Sequence, residues 1–470
     1  MGSARPLPPA EQHAYVVITI NLTETPVTHA NTPRAQKSPR SDAADNIPRV
    51  TAFPATGTGW DELERGLKSF KGLDYDWRGG RLPSYTYFYS DELLKVQMDA
   101  YRLYSVENGL GEGRAFPSLT RMLEDINAMV LDLFHAPAGA GMTFTSGGTE
   151  SLFEAVRTAR NYFQANRPAS ANGGRERLNV IAPVSAHAGL NKAGEIMDID
   201  IIRVPVGPEY RADAKRMLEL VNDRTIMLFS SAPCYPYGVF DPIGELGAAA
   251  AERNLWLHVD ACWGGFISPF AEELGYAIPP WDLGVTGVTS LSADIHKFGY
   301  GAKGASALVF RDSEMKKFER FEFSGWPRGT YATPSFMGSK PAGSVAAAWA
   351  VMRFLGREGY LATTKAAMDA TCQLIHGINA IPGLRCLEPN REANLYGYVS
   401  QDSEVDIIAV ANELQGKGWL PGQLREPLAI QQGVNPVHLP VVPQYLEDVA
   451  AAVKTVRKSG ERGVFNPRTY

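Results

Sequence analysis

The sequence predicts an α/β fold: a large domain built on a mostly parallel seven-stranded sheet, followed by a small α+β domain at the C-terminus. Three observations carry this. Short apolar runs alternate with helical patterns between about residues 119 and 330, as expected of parallel strands covered on both faces. After Ser339 an Ala-rich helical stretch begins and the pattern becomes mixed helix and strand. The chain has 470 residues, 44% of them hydrophobic and 21% charged, enough to bury a large core without a disulfide staple.

The first 48 residues mix Thr, Ala, Pro, Ser and Arg without periodicity over most of their length and read as a disordered tail. Their most membrane-like stretch, Tyr15–Leu22, is too short to span a bilayer and is interrupted by Thr and Asn, so no transmembrane anchor is expected. Residues 49–118 form an N-terminal segment. In it Trp60–Phe70 reads as an amphipathic helix, and Asp91–Val106 as a helix capped by Ser90.

The large domain is placed at 119–344. It opens on the helical pattern Ser118–His135, with apolar residues at Leu119, Met122, Ile126, Met129, Val130 and Leu133. The seven strand-like runs are Met142–Phe144, Leu178–Ala182, Ile201–Val206, Thr225–Ser230, Leu255–Val259, Gly287–Leu291 and Ala305–Phe310, with a helix at Glu150–Asn166. The small domain is placed at 345–470.

Charge and cysteine usage narrow the function. The formal net charge of -5 argues against a nucleic-acid partner, which calls for a basic stripe. The four cysteines form no C-x-x-C pair, and none joins histidines at zinc spacing. No metal site is expected, and the pattern suits a reducing, cytoplasmic location.

Four motifs carry the chemistry. Ser292–Gly304 (SADIHKFGYGAKG) places Lys297 just past a strand, beside His296 and among glycines. A lysine amine in a protected pocket forms a Schiff base with an aldehyde cofactor; a surface lysine in a turn is the plain alternative. Leu257–Gly265 (LHVDACWGG) ends an apolar run with Asp260, either a carboxylate for a cofactor nitrogen or a turn cap. Phe144–Ser151 (FTSGGTES) leads Gly147, Gly148, Thr149 and Ser151 into a helix N-terminus, a phosphate cradle or an ordinary Gly-rich turn. Pro183–Ala188 (PVSAHA) puts His187 past another strand end, where it can stack on a ring or simply fill a loop. Each motif alone is ambiguous. Their order along the chain points to pyridoxal phosphate.

With the segments SAPCYPYGVFDPI, GTYATPS and GSKPAG, these motifs resemble the fold-type I pyridoxal phosphate enzymes of the group II decarboxylase superfamily, and within it the sphingosine-1-phosphate lyases. The similarity runs from about Gly80 into the C-terminal domain. The resemblance implies that Lys297 forms the Schiff base, Asp260 pairs with the pyridine nitrogen and His187 stacks on the ring. It places Gly148, Thr149, Ser151 and His296 near the cofactor phosphate, and Ser339 at the phosphate of a partner subunit in a homodimer. It makes Lys303, Tyr235 and Tyr87 candidates for the reacting centre, and Asn108 for substrate binding. The family histidine following Asn108 is missing here: the segment reads NGLGEGRAF. Arg328 and Arg425 stand where arginines are unexpected, and are candidates for an anionic substrate group or solvated surface residues.

The implied reaction is retro-aldol cleavage of a phosphorylated sphingoid base to a fatty aldehyde and phosphoethanolamine. An amino-acid decarboxylase or aldolase on the same scaffold is the alternative, which Arg328 and Arg425 would favour.

Overall fold

The computed structural model describes residues 49–166 and 177–466. The expectations for the first 48 residues, including Tyr15–Leu22, lie outside them. Among the described residues no helix is long and apolar enough to cross a membrane.

The seven apolar runs become β1 (Gly141–Thr145), β2 (Asn179–Pro183), β3 (Asp200–Val204), β4 (Thr225–Ser231), β5 (Trp256–Asp260), β6 (Val288–Ala293) and β7 (Ser306–Phe310). They form one sheet in the order β1-β7-β6-β5-β4-β2-β3. Strand β7 runs antiparallel to both its neighbours, and the other pairs are parallel. Parallel neighbours need crossover connections, which is why helices such as Gly189–Met197 and Ile243–Arg253 lie between these strands in the chain.

Alternate residues of each strand face opposite ways, and in β2, β4, β5, β6 and β7 both ways are buried. Ile181, Leu228, Leu257, Leu291 and Val309 join one core, which also takes in Leu119, Ile126 and Val130 of the helix Pro117–Leu133. Val180, Met227, Phe229, Leu308 and Phe310 join the other, against Leu152, Val156 and Ala159 of the helix Gly148–Asn166. A fully buried Leu or Phe of this kind contributes roughly 1.5–3 kcal/mol. Helix Ile243–Arg253 approaches the β6 end so closely that Gly287, at φ +89, leaves no room for a β-carbon; one there would lie 1.9 Å from the Gly247 carbonyl oxygen.

Two features depart from the sequence reading. Residues Phe321–Trp326 and Gly329–Thr333 form a hairpin, β8 and β9, that packs little and leaves Phe321, Phe323 and Trp326 about half exposed. The Ala-rich stretch Ala342–Ala380 is two helices that meet at a kink at Gly356, whose backbone is not helical (φ +55), and the boundary placed at 345 falls inside the first of them. Its residues up to Ala367 pack in the large core, and the small core begins at Ala370.

The small domain is a four-stranded antiparallel sheet, β10 (Leu384–Cys386), β11 (Leu395–Ser400), β12 (Gly422–Arg425) and β13 (Leu428–Gly433), in the order β10-β11-β13-β12. Its core holds a satisfied polar trio: the Tyr398 and Tyr445 hydroxyls lie 2.8 Å apart, and Gln432 Nε2 donates to Tyr445 at 2.8 Å. The N-terminal segment straddles both domains. Ser90 accepts from the Leu93 N–H at 3.1 Å and caps the helix Asp91–Leu103, whose Leu93 enters the large core. Upstream, the Arg81 carbonyl accepts from Leu420 N–H, and the Leu82 carbonyl from His438.

Candidate active site

Strands β2, β4, β5 and β6 run parallel and end at one edge of the sheet. Chain order reverses direction between β2 and β4, so their carboxyl ends bound a crevice of the kind that takes ligands in open α/β sheets. His187 follows β2, Asp260 ends β5, and the Asp294–Lys297 turn follows β6. All of these line one cavity of about 660 Å³. Lys303, His296, Gly148 and Thr149 line it too, as do Tyr87 from the N-terminal segment and Tyr235 from the loop after β4.

Lys297 Nζ lies 3.0 Å from Asp294 Oδ2, and His296 Nε2 lies 3.6 Å from the same oxygen. Burial alone would lower the Lys297 ammonium, but Asp294, then Tyr87, Cys262 and Asp260, override it and hold the group well above its ordinary value. Burial would likewise raise the Asp294 carboxyl, yet Lys297 and His296 outweigh it and keep it well below the usual range.

Asp260 Oδ1 accepts from the Cys262 N–H at 3.0 Å and from Ser292 Oγ at 3.4 Å. Behind it runs a buried chain: His258 Nε2 meets Ser292 Oγ at 3.2 Å, His258 Nδ1 meets Ser290 Oγ at 2.8 Å, and Trp256 Nε1 donates to Ser290 at 2.7 Å. His187 Nδ1 accepts from Gly189 N–H at 3.0 Å, which leaves the ring proton on Nε2. Burial lowers this imidazole and keeps it neutral, against a smaller opposing pull from Asp260.

Lys303 Nζ sits 4.6 Å from the Tyr87 ring centroid and donates to the His296 carbonyl at 3.4 Å. The residue keeps an exposed face, but crowding of its ammonium by protein and by Lys297 pushes it down to about 8. Burial drives the Tyr87 phenol well above its ordinary value. Tyr87 packs edge-on against Phe298, and Tyr235 packs against Trp263.

Five residues singled out from the sequence do not line this cavity. The Ser151 hydroxyl turns inward to Thr145 (2.6 Å) and Ser306 (3.0 Å), because its helical position points at the sheet rather than at the helix N-terminus. Asn108 Nδ2 donates to Ser339 Oγ at 2.8 Å, so the two pin one surface loop to another. Arg328 lies exposed in the β8–β9 connection, and Arg425 lies over the Phe465 ring on edge strand β12. Conversely, Asp294, Cys262 and the Ser292–His258 chain were missed as site residues. Asp294 was signalled by its place inside SADIHK; the others are small or polar residues within strands and turns, which carry no periodic mark.

The comparisons with known proteins bear on this arrangement. Residues 112–382 match the pyridoxal-dependent decarboxylase conserved domain. The chain is 35% identical to a sphingosine-1-phosphate lyase of Arabidopsis thaliana over 418 residues, 87% of this chain and 74% of the relative. A lyase of the same name from Oryza sativa is 34% identical over 416 residues, 87% of this chain and 75% of the relative. The chain belongs to the sphingosine-1-phosphate lyase family. A solved member of that family, a Burkholderia pseudomallei sphingosine-1-phosphate lyase, superposes with a TM-score of 0.83 at 35% identity, covering 88% of this chain and 95% of that one.

The cofactor of this lyase-family chain is pyridoxal phosphate, and the residues present fit it. Gly147 and Gly148 leave an open cradle at the start of the helix Gly148–Asn166 that side chains would fill. A β-carbon at Gly148 would come within 2.8 Å of Cys262 Sγ and 3.1 Å of Asp294 Oδ2; one at Gly147 would lie 3.1 Å from His296 Cε1. Free N–H donors of a helix N-terminus suit a phosphate there.

Proposed function

We propose that the chain is a pyridoxal phosphate-dependent carbon–carbon lyase that cleaves sphingosine 1-phosphate, or a close phosphorylated sphingoid base, to a fatty aldehyde and phosphoethanolamine. The observation that carries this reading is the placement of Lys303 beside Lys297 and over Tyr87 in the cavity that also holds Asp260 and His187. Arg328 and Arg425, the residues that would favour a carboxylate-bearing substrate, stand outside that cavity.

Bound pyridoxal phosphate supplies an electron sink for the pair released when the carbon–carbon bond breaks. Lys297 Nζ would hold the cofactor aldehyde and, once the substrate amine has taken that place, would receive the proton of the substrate ammonium, pair with Asp294 and stand as proton donor to the product carbon. Asp260, its carboxylate oriented by Cys262 N–H and Ser292, would keep the pyridine nitrogen protonated. His187 would lie against the ring, and the helix N-terminus at Gly148 and Thr149, with His296, would hold the phosphate. Lys303 Nζ takes the proton of the substrate 3-hydroxyl, because an amine lowered to about 8 is neutral in part near physiological pH. Tyr87, raised by burial, stays protonated, and Tyr235 lines the same cavity.

The same reading makes the protein a cytoplasmic homodimer in which Ser339 reaches the cofactor phosphate of the other copy. Its support is that Ser339 is exposed and away from its own cavity, next to a loop where Phe336 is 70% exposed. Light scattering that finds a fully active monomer would overturn this part.

The deciding experiment incubates cofactor-loaded protein with sphingosine 1-phosphate and follows both products by mass spectrometry. Stoichiometric fatty aldehyde and phosphoethanolamine, absent with Lys297→Ala, are the expected result. A loaded protein that releases no aldehyde but liberates carbon dioxide from an amino acid would replace this reading with the decarboxylase one.

A further inference from the structure

The turn that carries His187 is tied to the neighbouring strand by the Val184 N–H to the Val204 carbonyl at 2.8 Å and by the side chain of Arg203. Arg203 stands on edge strand β3, in register with Ala182 of β2. Its guanidinium donates to the carbonyls of Pro183 at 2.8 Å, Ala186 at 2.9 Å and His187 at 3.4 Å, and also to the Asn191 side chain. These four acceptors run from the end of β2 to the first turn of the helix Gly189–Met197. The His187 ring accepts from the Gly189 N–H on Nδ1. Arg203 itself does not line the cavity.

We propose that Arg203 is a positioning residue for the lyase, fixing the turn so that His187 lies flat against the cofactor ring. This rests on the reading that His187 stacks on that ring. A guanidinium suits the task because its planar fork reaches several carbonyls at once; a lysine ammonium is a point charge on a flexible stem and cannot span them. The carbonyls of Pro183, Ala186 and His187 would otherwise lose a partner at the edge of the sheet, and a loosened turn lets the ring rotate away from the cofactor. No local pattern marks Arg203, which lies 16 residues after His187 in sequence and inside a strand.

The test titrates apoprotein with pyridoxal phosphate and reads both the dissociation constant and the visible circular dichroism of the bound cofactor. The set is wild type, Arg203→Lys, His187→Ala and the double variant. Arg203→Lys, which keeps the charge and guards against loss of fold, is expected to weaken cofactor binding roughly tenfold, the scale seen when a supporting hydrogen-bond partner is removed. It is also expected to diminish the dichroic band. In the His187→Ala background the same change is expected to add nothing, because its effect passes through the ring. Wild-type affinity and dichroism in Arg203→Lys would overturn the inference, and so would independent, additive losses in the double variant. An unchanged His187→Ala would instead overturn the stacking reading on which it rests.

Discussion

Lys297 and Asp294 are joined by a 3.0 Å ion pair in which each partner holds the other in its charged form. The lysine must lose its proton before it can attack the cofactor aldehyde, so the pair opposes loading. Asp294→Asn removes the foremost group that holds the ammonium charged, while burial still disfavours that charge. We predict that the pH midpoint for cofactor uptake, followed by visible absorbance, falls in Asp294→Asn. An unchanged midpoint would show that the pair does not govern the lysine.

Lys303 gives a second titration. Its ammonium is pushed down to about 8, and as a base it acts only when neutral. Activity as kcat/KM therefore rises with pH on a limb centred near 8. Lys303→Arg keeps a permanent charge and has no neutral form to offer, so it loses that limb and about a hundredfold or more in rate. Retention of the same limb in Lys303→Arg would assign it to another group.

The glycine cradle predicts a graded pair. At Gly148 a β-carbon meets Cys262 Sγ at 2.8 Å and the buried Asp294 carboxylate, neither of which can retreat into the core. At Gly147 it meets only the edge of the His296 ring, at 3.1 Å. Gly148→Ala should therefore weaken cofactor affinity by about tenfold or more, and Gly147→Ala by clearly less. Isothermal titration with pyridoxal phosphate reads both. Equal losses would mean that the backbone, not the space above it, sets affinity.

The seven strands, Lys297 and Asp260 were legible because each breaks a local pattern: apolar runs bounded by turns, and a charge placed where a run ends. Ser151 misled because it shares a motif with Gly148 but sits three residues into the helix, rotated toward Thr145 and Ser306. The β8–β9 hairpin went unread since every residue of β8 is exposed, so no buried face sets up an alternation. Arg203 and His258 were invisible for a different reason. Each is a polar residue inside a strand, and only pairing with β2 or β6 reveals what it holds.

Stability should depend on pH through buried imidazoles. His438 accepts from the Asn435 N–H on Nδ1 at 2.8 Å and donates from Nε2 to the Leu82 carbonyl at 3.1 Å, tying the N-terminal segment to the small domain. Burial pushes it, like His258, down to about 4 from an ordinary 6.5. Between those values the unfolded chain binds protons that the folded one refuses. The contribution is therefore complete above pH 6.5 and is lost as pH falls through 4, on the order of 3 kcal/mol for each histidine. Glu154 works in the opposite sense. Burial raises its carboxyl to about 7 despite Arg157, so its contribution is complete below 4.5 and is lost as pH rises through 7. Unfolding by urea at pH 5, 6.5 and 8 separates the two. His438→Gln should flatten the loss between pH 6.5 and 5, because glutamine has no proton to gain. Glu154→Gln should recover stability at pH 8 relative to pH 5. If His438→Gln shifts the midpoint equally at all three pH values, the histidine is a packing and hydrogen-bonding group with no linkage to protons.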